Sequence, residues 1–247
     1  MSIVVFDTET TSLTKPFVYN IGYVIATDEG ETLLARDYVV EQIWHNLPLF
    51  NTAYYAEKRP LYVERMRART TIMDKFGYIC RQMARDFKQY GVETAYAFNS
   101  SFDEKVFDFN CDWFKCINPF ENIPIFDIRG NVHHFIVDKD YLDFCEIHQE
   151  FTENGNYSTT AETVYRYLVN DSFTEEHTAL SDSIIEKEIL FYTIRKGAIL
   201  HQSYSTFKSI ERTTEKELHI KTAEQTDYYF SYSKIRINKD KTEITLR

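Results

Sequence analysis

Glycine and proline are scarce in this 247-residue chain, at seven and five residues. That shortage excludes a low-complexity linker or a disordered scaffold, which are rich in residues that keep a chain open. The 18 Tyr and 19 Phe are the opposite signal, and they predict a chain folded almost throughout. Cysteine is sparse as well. Cys80, Cys111, Cys116 and Cys145 show neither a Cys-x-x-Cys pair nor a dense disulfide pattern, so they read as free thiols of a reducing compartment. No apolar run approaches the ~20 residues of a membrane-spanning helix. The first strand is entered by residue 3, which leaves no room for a charged leader and apolar signal core. The expectation is a cytoplasmic protein with no membrane partner. Positive charge is also lacking: a net charge of −10 excludes a protein that coats nucleic acid by bulk attraction.

The charge is unevenly spread. Between Lys58 and Lys88 nine basic residues face three acidic ones, so this segment is +6 and the remainder −16. Arg65, Arg67 and Arg69 lie within it. A basic patch beside an acidic site suits a substrate that carries phosphates, and a solvated helix face of mixed charge is the alternative.

The chain opens on Ile3-Val4-Val5-Phe6, an apolar run that reads as a strand buried on both faces. Asp7 and Glu9 follow. Side chains alternate along a strand, so these two carboxylates project from one side, where mutual repulsion favours a hard cation between them. Val18–Ala26 and 31–40 are β-prone and joined by Thr27-Asp28-Glu29-Gly30, predicting a hairpin and an antiparallel meander with the first strand innermost. Residues 42–69 read as loop and short helical pieces around Pro48 and Pro60. Ile72, Phe76, Ile79, Cys80, Met83 and Phe87 recur at helical spacing, predicting a helix over 71–90 that stops at Gly91. A strand over 94–98 leads to Ser101 and Glu104, a capping-box pattern that places Asp103 in a first helical turn. A strand over 123–126 follows, then a helix after Asp127, one over 141–151, and one over 159–169 with Thr159 and Glu162 as its capping box. The last long helix is predicted from Thr178 as N-cap to about Lys196, with Leu180, Ile184, Ile185 and Ile189 as its buried stripe and His177 just outside it. Residues 198–214 read as irregular. Beyond them, alternation at 218/220, 230/232, 235/237 and 244/246 predicts a three-stranded appendage with a bulge after Tyr232.

Asp7-x-Glu9, Asn99-x-x-Phe102-Asp103 and His177-x-Ala179-x-x-Asp182 together resemble the three motifs of the DnaQ-like (DEDDh) 3′-5′ exonucleases, in the same order. Asn20-Ile21-Gly22 is similar to the Ile-Gly of that family's second strand. The resemblance implies an α/β, RNase H-like mixed five-stranded sheet flanked by helices over residues 1–197, with 198–247 as a small C-terminal β appendage. It also implies two divalent cations, Mg²⁺ or Mn²⁺, held by Asp7, Glu9, Asp103 and Asp182, with His177 as general base. The expected activity is hydrolysis from the 3′ end of single-stranded nucleic acid, DNA ahead of RNA, to nucleoside 5′-monophosphates. Thr8 and Thr10 are candidates to contact the terminal nucleotide. Phe102 is a candidate at the terminal sugar or a core residue, and Asn99 orients the Asp103 loop or serves the fold as a buried polar group.

Three further readings stay open. The chain is a proofreading subunit that meets a polymerase, or a second copy of itself, through 198–247. It is a catalytically silent binding module that keeps the fold. Or it is an α/β protein with coincidental acids.

Overall fold

The computed structural model describes residues 1–132, 136 and 139–197, with five strand segments beyond them at 207–214, 217–222, 227–231, 235–237 and 244–246. The chain divides into two compact units, one of residues 1–128 with 174–191 and the other of residues 129–173 with 192–247.

The first unit is built on β1 (Ser2–Thr10), β2 (Val18–Thr27) and β3 (Thr32–Val40), an antiparallel meander as the hairpin signal predicts. Val4, Val5 and Phe6 are fully buried. Phe6 stacks on Phe120 at 4.3 Å between centroids and meets Phe107 edge-on at 5.8 Å, so the first strand is covered by aromatic packing as its apolar run requires. Two short helices, α1 (Glu41–Trp44) and α2 (Leu47–Phe50), and a 3-10 turn at Ala56–Lys58 lead to α3 (Arg59–Arg67).

The expected five-stranded sheet has six strands. β4 (Ile72–Asp74) pairs in parallel with Tyr38–Val40, where helix had been expected, and α4 (Phe76–Tyr90) begins only after it. Ile72 fits the helical period by coincidence and is 43% exposed on the sheet edge. Phe76, Ile79, Cys80, Met83 and Phe87 are buried as predicted, and the helix ends on Gly91 at φ +62°. β5 (Val92–Ala97) lies parallel to β1, and α5 (Ser100–Phe114) follows it. β6 (Ile125–Asp127), parallel to β5, completes the order β4-β3-β2-β1-β5-β6.

α6 (Ile128–Val132) starts at the junction of the two units. In the second unit, α7 (Lys139–His148) and α8 (Ala161–Leu168) are joined by a turn through Gly155. Thr160, and not Thr159, caps α8: its side chain accepts the Thr163 N–H. α9 (Ala179–Arg195) begins in the first unit. Its buried face differs from the expected stripe. Ile184 is 38% exposed, whereas Asp182, Ser183 and Glu186 are buried beside Ile185 and Ile189. A helix that buries carboxylates cannot be located by an apolar stripe.

The segment beyond residue 197, expected to form an appendage of three strands, has five described strands. β7 (Phe207–Thr214), β8 (Glu217–Thr222) and β9 (Asp227–Ser231) form one antiparallel sheet. β10 (Ile235–Ile237) and β11 (Ile244–Leu246) form another. The ladder of β7 slips at both ends, which destroys the period-two pattern that would have revealed it. The bulge expected after Tyr232 lies outside the described residues. Among the described residues no helix is long and apolar enough to cross a membrane.

Candidate metal centre

Register sets the first half of the site. β1 and β2 place Asp7 opposite Gly22 and Glu9 opposite Asn20. A Cβ on Gly22 would lie 2.1 Å from the Ala179 carbonyl carbon and 2.1 Å from the Leu180 nitrogen, so the start of α9 rests directly on the backbone of β2. Asn20 fastens it. Its Oδ1 accepts the Ala179 N–H at 2.9 Å and the Tyr62 hydroxyl at 2.9 Å, and its Nδ2 donates to Asp37 Oδ1 at 2.6 Å. Ser183 adds a hydroxyl bond to the Gly22 carbonyl at 3.0 Å. Asp182 is thereby carried to Asp7 and Glu9: the three offer carboxylate oxygens that all lie within 4.8 Å of one another. Gly22→Ala should cost at least ~3 kcal/mol, because the clash is with backbone that has nowhere to move. Urea unfolding would show it, and an unchanged midpoint would contradict this docking.

Asp103 arrives from another direction. The turn between β5 and α5 passes through Asn99 at φ +67°, a left-handed conformation that Asn tolerates better than most residues. The Asn99 N–H donates to Asp127 Oδ1 at 2.9 Å, and one helical turn on, Asp103 is 2% exposed and accepts the Thr8 hydroxyl at 2.6 Å. Asn99 itself is exposed, not the buried polar group expected from its neighbours, and it caps α5 by position with no side-chain bond. Ser101 makes no capping box; the bond is between Ser100 and Glu104 at 3.3 Å. Phe102 is half-buried and packs against the core. Thr10 donates to the Ser12 carbonyl at 3.5 Å.

A fifth carboxylate joins the four that the motifs supply. Glu186, 3% exposed and one turn after Asp182, accepts the Phe98 N–H at 3.1 Å. The i, i+4 spacing from Asp182 is the signal that could have found it. Burial and this crowding of like charge push every one of these acids up. Asp7 is raised well above the ordinary carboxylate range by burial, then by Asp103, Glu186, Asp182 and Glu9. Glu9 is raised by burial and Asp182, with Lys58 opposing, and Glu186 by burial, Asp103 and Asp182. Burial lifts Asp103 to about 7 against the Thr8 hydrogen bond, and burial with Glu175 lifts Asp182 to about 8. Asp7 and Glu9 keep part of their surface open, so the cluster is reachable from solvent. An all-oxygen, polyanionic and partly open set of this kind fits hard dications such as Mg²⁺ or Mn²⁺.

His177 stands at φ +49°, a strained backbone for an imidazole residue, and three groups hold it there. Its Nδ1 lies 2.9 Å from Glu175 Oε2, its ring stacks on Tyr55 at 4.6 Å and 11°, and Lys58 Nζ donates to the Glu176 and His177 carbonyls at 2.5 and 3.4 Å. The hydrogen bond to Glu175 raises the His177 pKa, with burial opposing. Arg65, expected along a strand path, braces this segment in the structure. It pairs with Glu176, donates to Thr178 Oγ1 at 3.0 Å and lies 3.6 Å from Asp37. Thr178 precedes α9 as predicted, but its hydroxyl donates to Ser181 instead of capping the helix. Arg67 and Arg69 are exposed at the end of α3, and the structure does not bring them into the carboxylate cluster. Glu175 and Tyr55 belong to no motif, and Lys58 stood out only as the start of the basic segment, with nothing to tie it to His177.

No family model matches the chain, and no curated protein matches it. Solved structures do. One of exonuclease I in complex with the inhibitor BCBP is 12% identical with a TM-score of 0.53, over 79% of this chain and 41% of that one. Another, described as suggesting how exonuclease I achieves processivity, is 10% identical with a TM-score of 0.51, over 90% and 55%. E. coli exonuclease I in complex with a 5cy-dT13 oligonucleotide is 12% identical with a TM-score of 0.50, over 79% and 40%. This chain therefore spans about half the length of these neighbours or less. Its fold, a mixed six-stranded sheet flanked by helices, is similar to that of exonuclease I and consistent with the α/β architecture that the motif order implies.

Proposed function

We propose that this chain is a divalent-metal-dependent 3′-5′ exonuclease that hydrolyses single-stranded nucleic acid, DNA ahead of RNA, to nucleoside 5′-monophosphates. The observation that carries the reading is the convergence of Asp7, Glu9 and Asp182 within 4.8 Å, with Asp103 buried beside them on a fold similar to exonuclease I. DNA is placed first because a neighbour of that fold was solved with a dT13 oligonucleotide. All the residues involved lie within the proposed catalytic segment 1–197.

Asp7, Glu9, Asp103 and Asp182 would hold two ions, which when bound activate the attacking water and stabilise charge on the departing 3′-oxygen. The remaining work falls to the chain. Glu175 accepts from His177 Nδ1 and so leaves the Nε2 lone pair free to take the proton of water as the P–O3′ bond breaks. Tyr55 and Lys58 hold the ring and its backbone in place, while the open edges of Asp7 and Glu9 admit the scissile phosphate.

A base must be deprotonated to act. Because Glu175 raises the pKa of His177, turnover should climb with pH through a value above that of ordinary histidine. Glu175→Gln should move this limb of the pH–kcat/KM profile to lower pH; a limb that stays in place would remove His177 as the titrating base.

The function itself is tested with matched 5′-labelled single-stranded DNA and RNA in Mg²⁺ or Mn²⁺. A ladder shortening from the 3′ end, lost with chelator and in His177→Ala, is the expected result. Intact substrate in every condition, with binding retained, would make the chain a silent module.

A further inference from the structure

Three of the four cysteines converge, two of them five residues apart and the third, Cys80, 31 residues before Cys111. Cys80 lies in the second turn of α4, Cys111 in the last turn of α5, and Cys116 just past that helix, which Lys115 ends at φ +50°. The Cys116 N–H bonds the Cys111 carbonyl at 3.1 Å, folding the chain back so that Cys116 faces α4. There a Cβ on Gly77 would be 3.3 Å from the Cys116 Cβ. The three sulfurs all lie within 4.8 Å of one another. Cys80 and Cys111 are buried; Cys116 is half-exposed.

A buried cysteine alone is ordinary packing. Three sulfurs gathered from two helices and a turn are a different arrangement, because a tetrahedral ion with Zn–S bonds of about 2.3 Å needs its sulfurs about 3.8 Å apart. The cluster also has an open side. Cys111 and Cys116, though not Cys80, line a cleft of about 680 Å³ with Asp108, Asp112 and Asn118, so two of the three cysteines border a space that admits water. We propose that Cys80, Cys111 and Cys116 form a second metal site, for a thiophilic dication such as Zn²⁺, separate from the carboxylate cluster. On binding, each coordinating thiol releases its proton to solvent and contributes a thiolate.

The site would join the end of α5 to α4. Asp103 lies eight residues before Cys111 on the same helix, about 12 Å of helical rise away, so a clamp there fixes the axis that presents Asp103. Hard oxygen donors and soft sulfur donors would then select different ions within one unit. The proposal stands whether or not the chain is a nuclease.

The test uses the full, reduced chain, stripped with chelator and returned to excess Mg²⁺, with Co²⁺ as probe. One Co²⁺ per chain with a thiolate charge-transfer band, bleached by one equivalent of Zn²⁺, is expected. The band should persist in Asp7→Asn, and Cys116→Ser should weaken uptake at least ~10-fold. Cys116 is half-exposed and tolerates the change, and circular dichroism would confirm that the variant folds. Zn²⁺ should raise the Tm of the native protein but not of Cys116→Ser. A folded, reduced chain that gives no band overturns the proposal, whether its thiols react freely or close to a disulfide on exposure to air.

Discussion

Asp7→Asn lowers divalent-dependent hydrolysis by at least ~10³-fold and, in the same protein, raises the melting temperature of the metal-free form by ~2–5 °C. The two effects have one cause. Asp7 is raised by burial first and then by Asp103, Glu186, Asp182 and Glu9, so its charge is strongly opposed when no cation is present. Asn keeps the shape and the place in β1 opposite Gly22, and removes that charge. Without it the set loses a ligand that reaches both Glu9 and Asp182, and the dications that the reaction requires are no longer held. Steady-state hydrolysis of labelled oligonucleotide and a thermal melt in chelator measure the two halves separately. Lost activity with a lowered melting temperature would mean that Asp7 supports the fold, and the metal reading would fail.

The five motif residues were legible because each sits at a junction that sequence marks well. Asp7 and Glu9 end an apolar strand, Asp103 opens a helix, and His177 and Asp182 flank the start of another. What holds them was harder to see. Gly22 looks like any glycine in a strand, yet its missing Cβ is what lets α9 rest on β2. Glu186 lies on a helix whose buried face mixes acids with Ile185 and Ile189, so an apolar stripe drawn through Ile184 missed it. Arg65 belongs to a basic segment whose net charge suggested a strand path. The partners it has in the structure, Glu176 and Thr178, are more than a hundred residues away, beyond the reach of any local pattern. The sixth strand escaped for the opposite reason: three residues are too few to establish a period, and Ile72 happened to fit the helix beside it. Tertiary pairing and charge burial are the two things that periodicity does not encode.

The same buried charge makes stability depend on pH in an unusual direction. Asp103 and Asp182 have folded-state pKa values of about 7 and about 8, above the 3.8 of the unfolded chain. Between those limits the folded form binds more protons than the unfolded form, so stability falls as pH rises. Their contribution is complete below about pH 4 and is lost as pH passes through 7 and 8. Metal-free protein should therefore melt ~5–10 °C higher at pH 5.5 than at pH 8, where most soluble domains change little. Mg²⁺ or Mn²⁺ should abolish most of that difference by supplying at pH 8 the positive charge that protons supply at pH 5.5. Part of any such slope comes from the net charge of −10 spread over the whole chain. The double variant Asp103→Asn with Asp182→Asn separates the two: it keeps the surface contribution and loses the buried one. Melts of both proteins at the two pH values, with chelator and with metal, complete the comparison. A wild-type slope no steeper than that of the double variant would show that the carboxylates are not charged against one another, and the case for a cation between them would go with it.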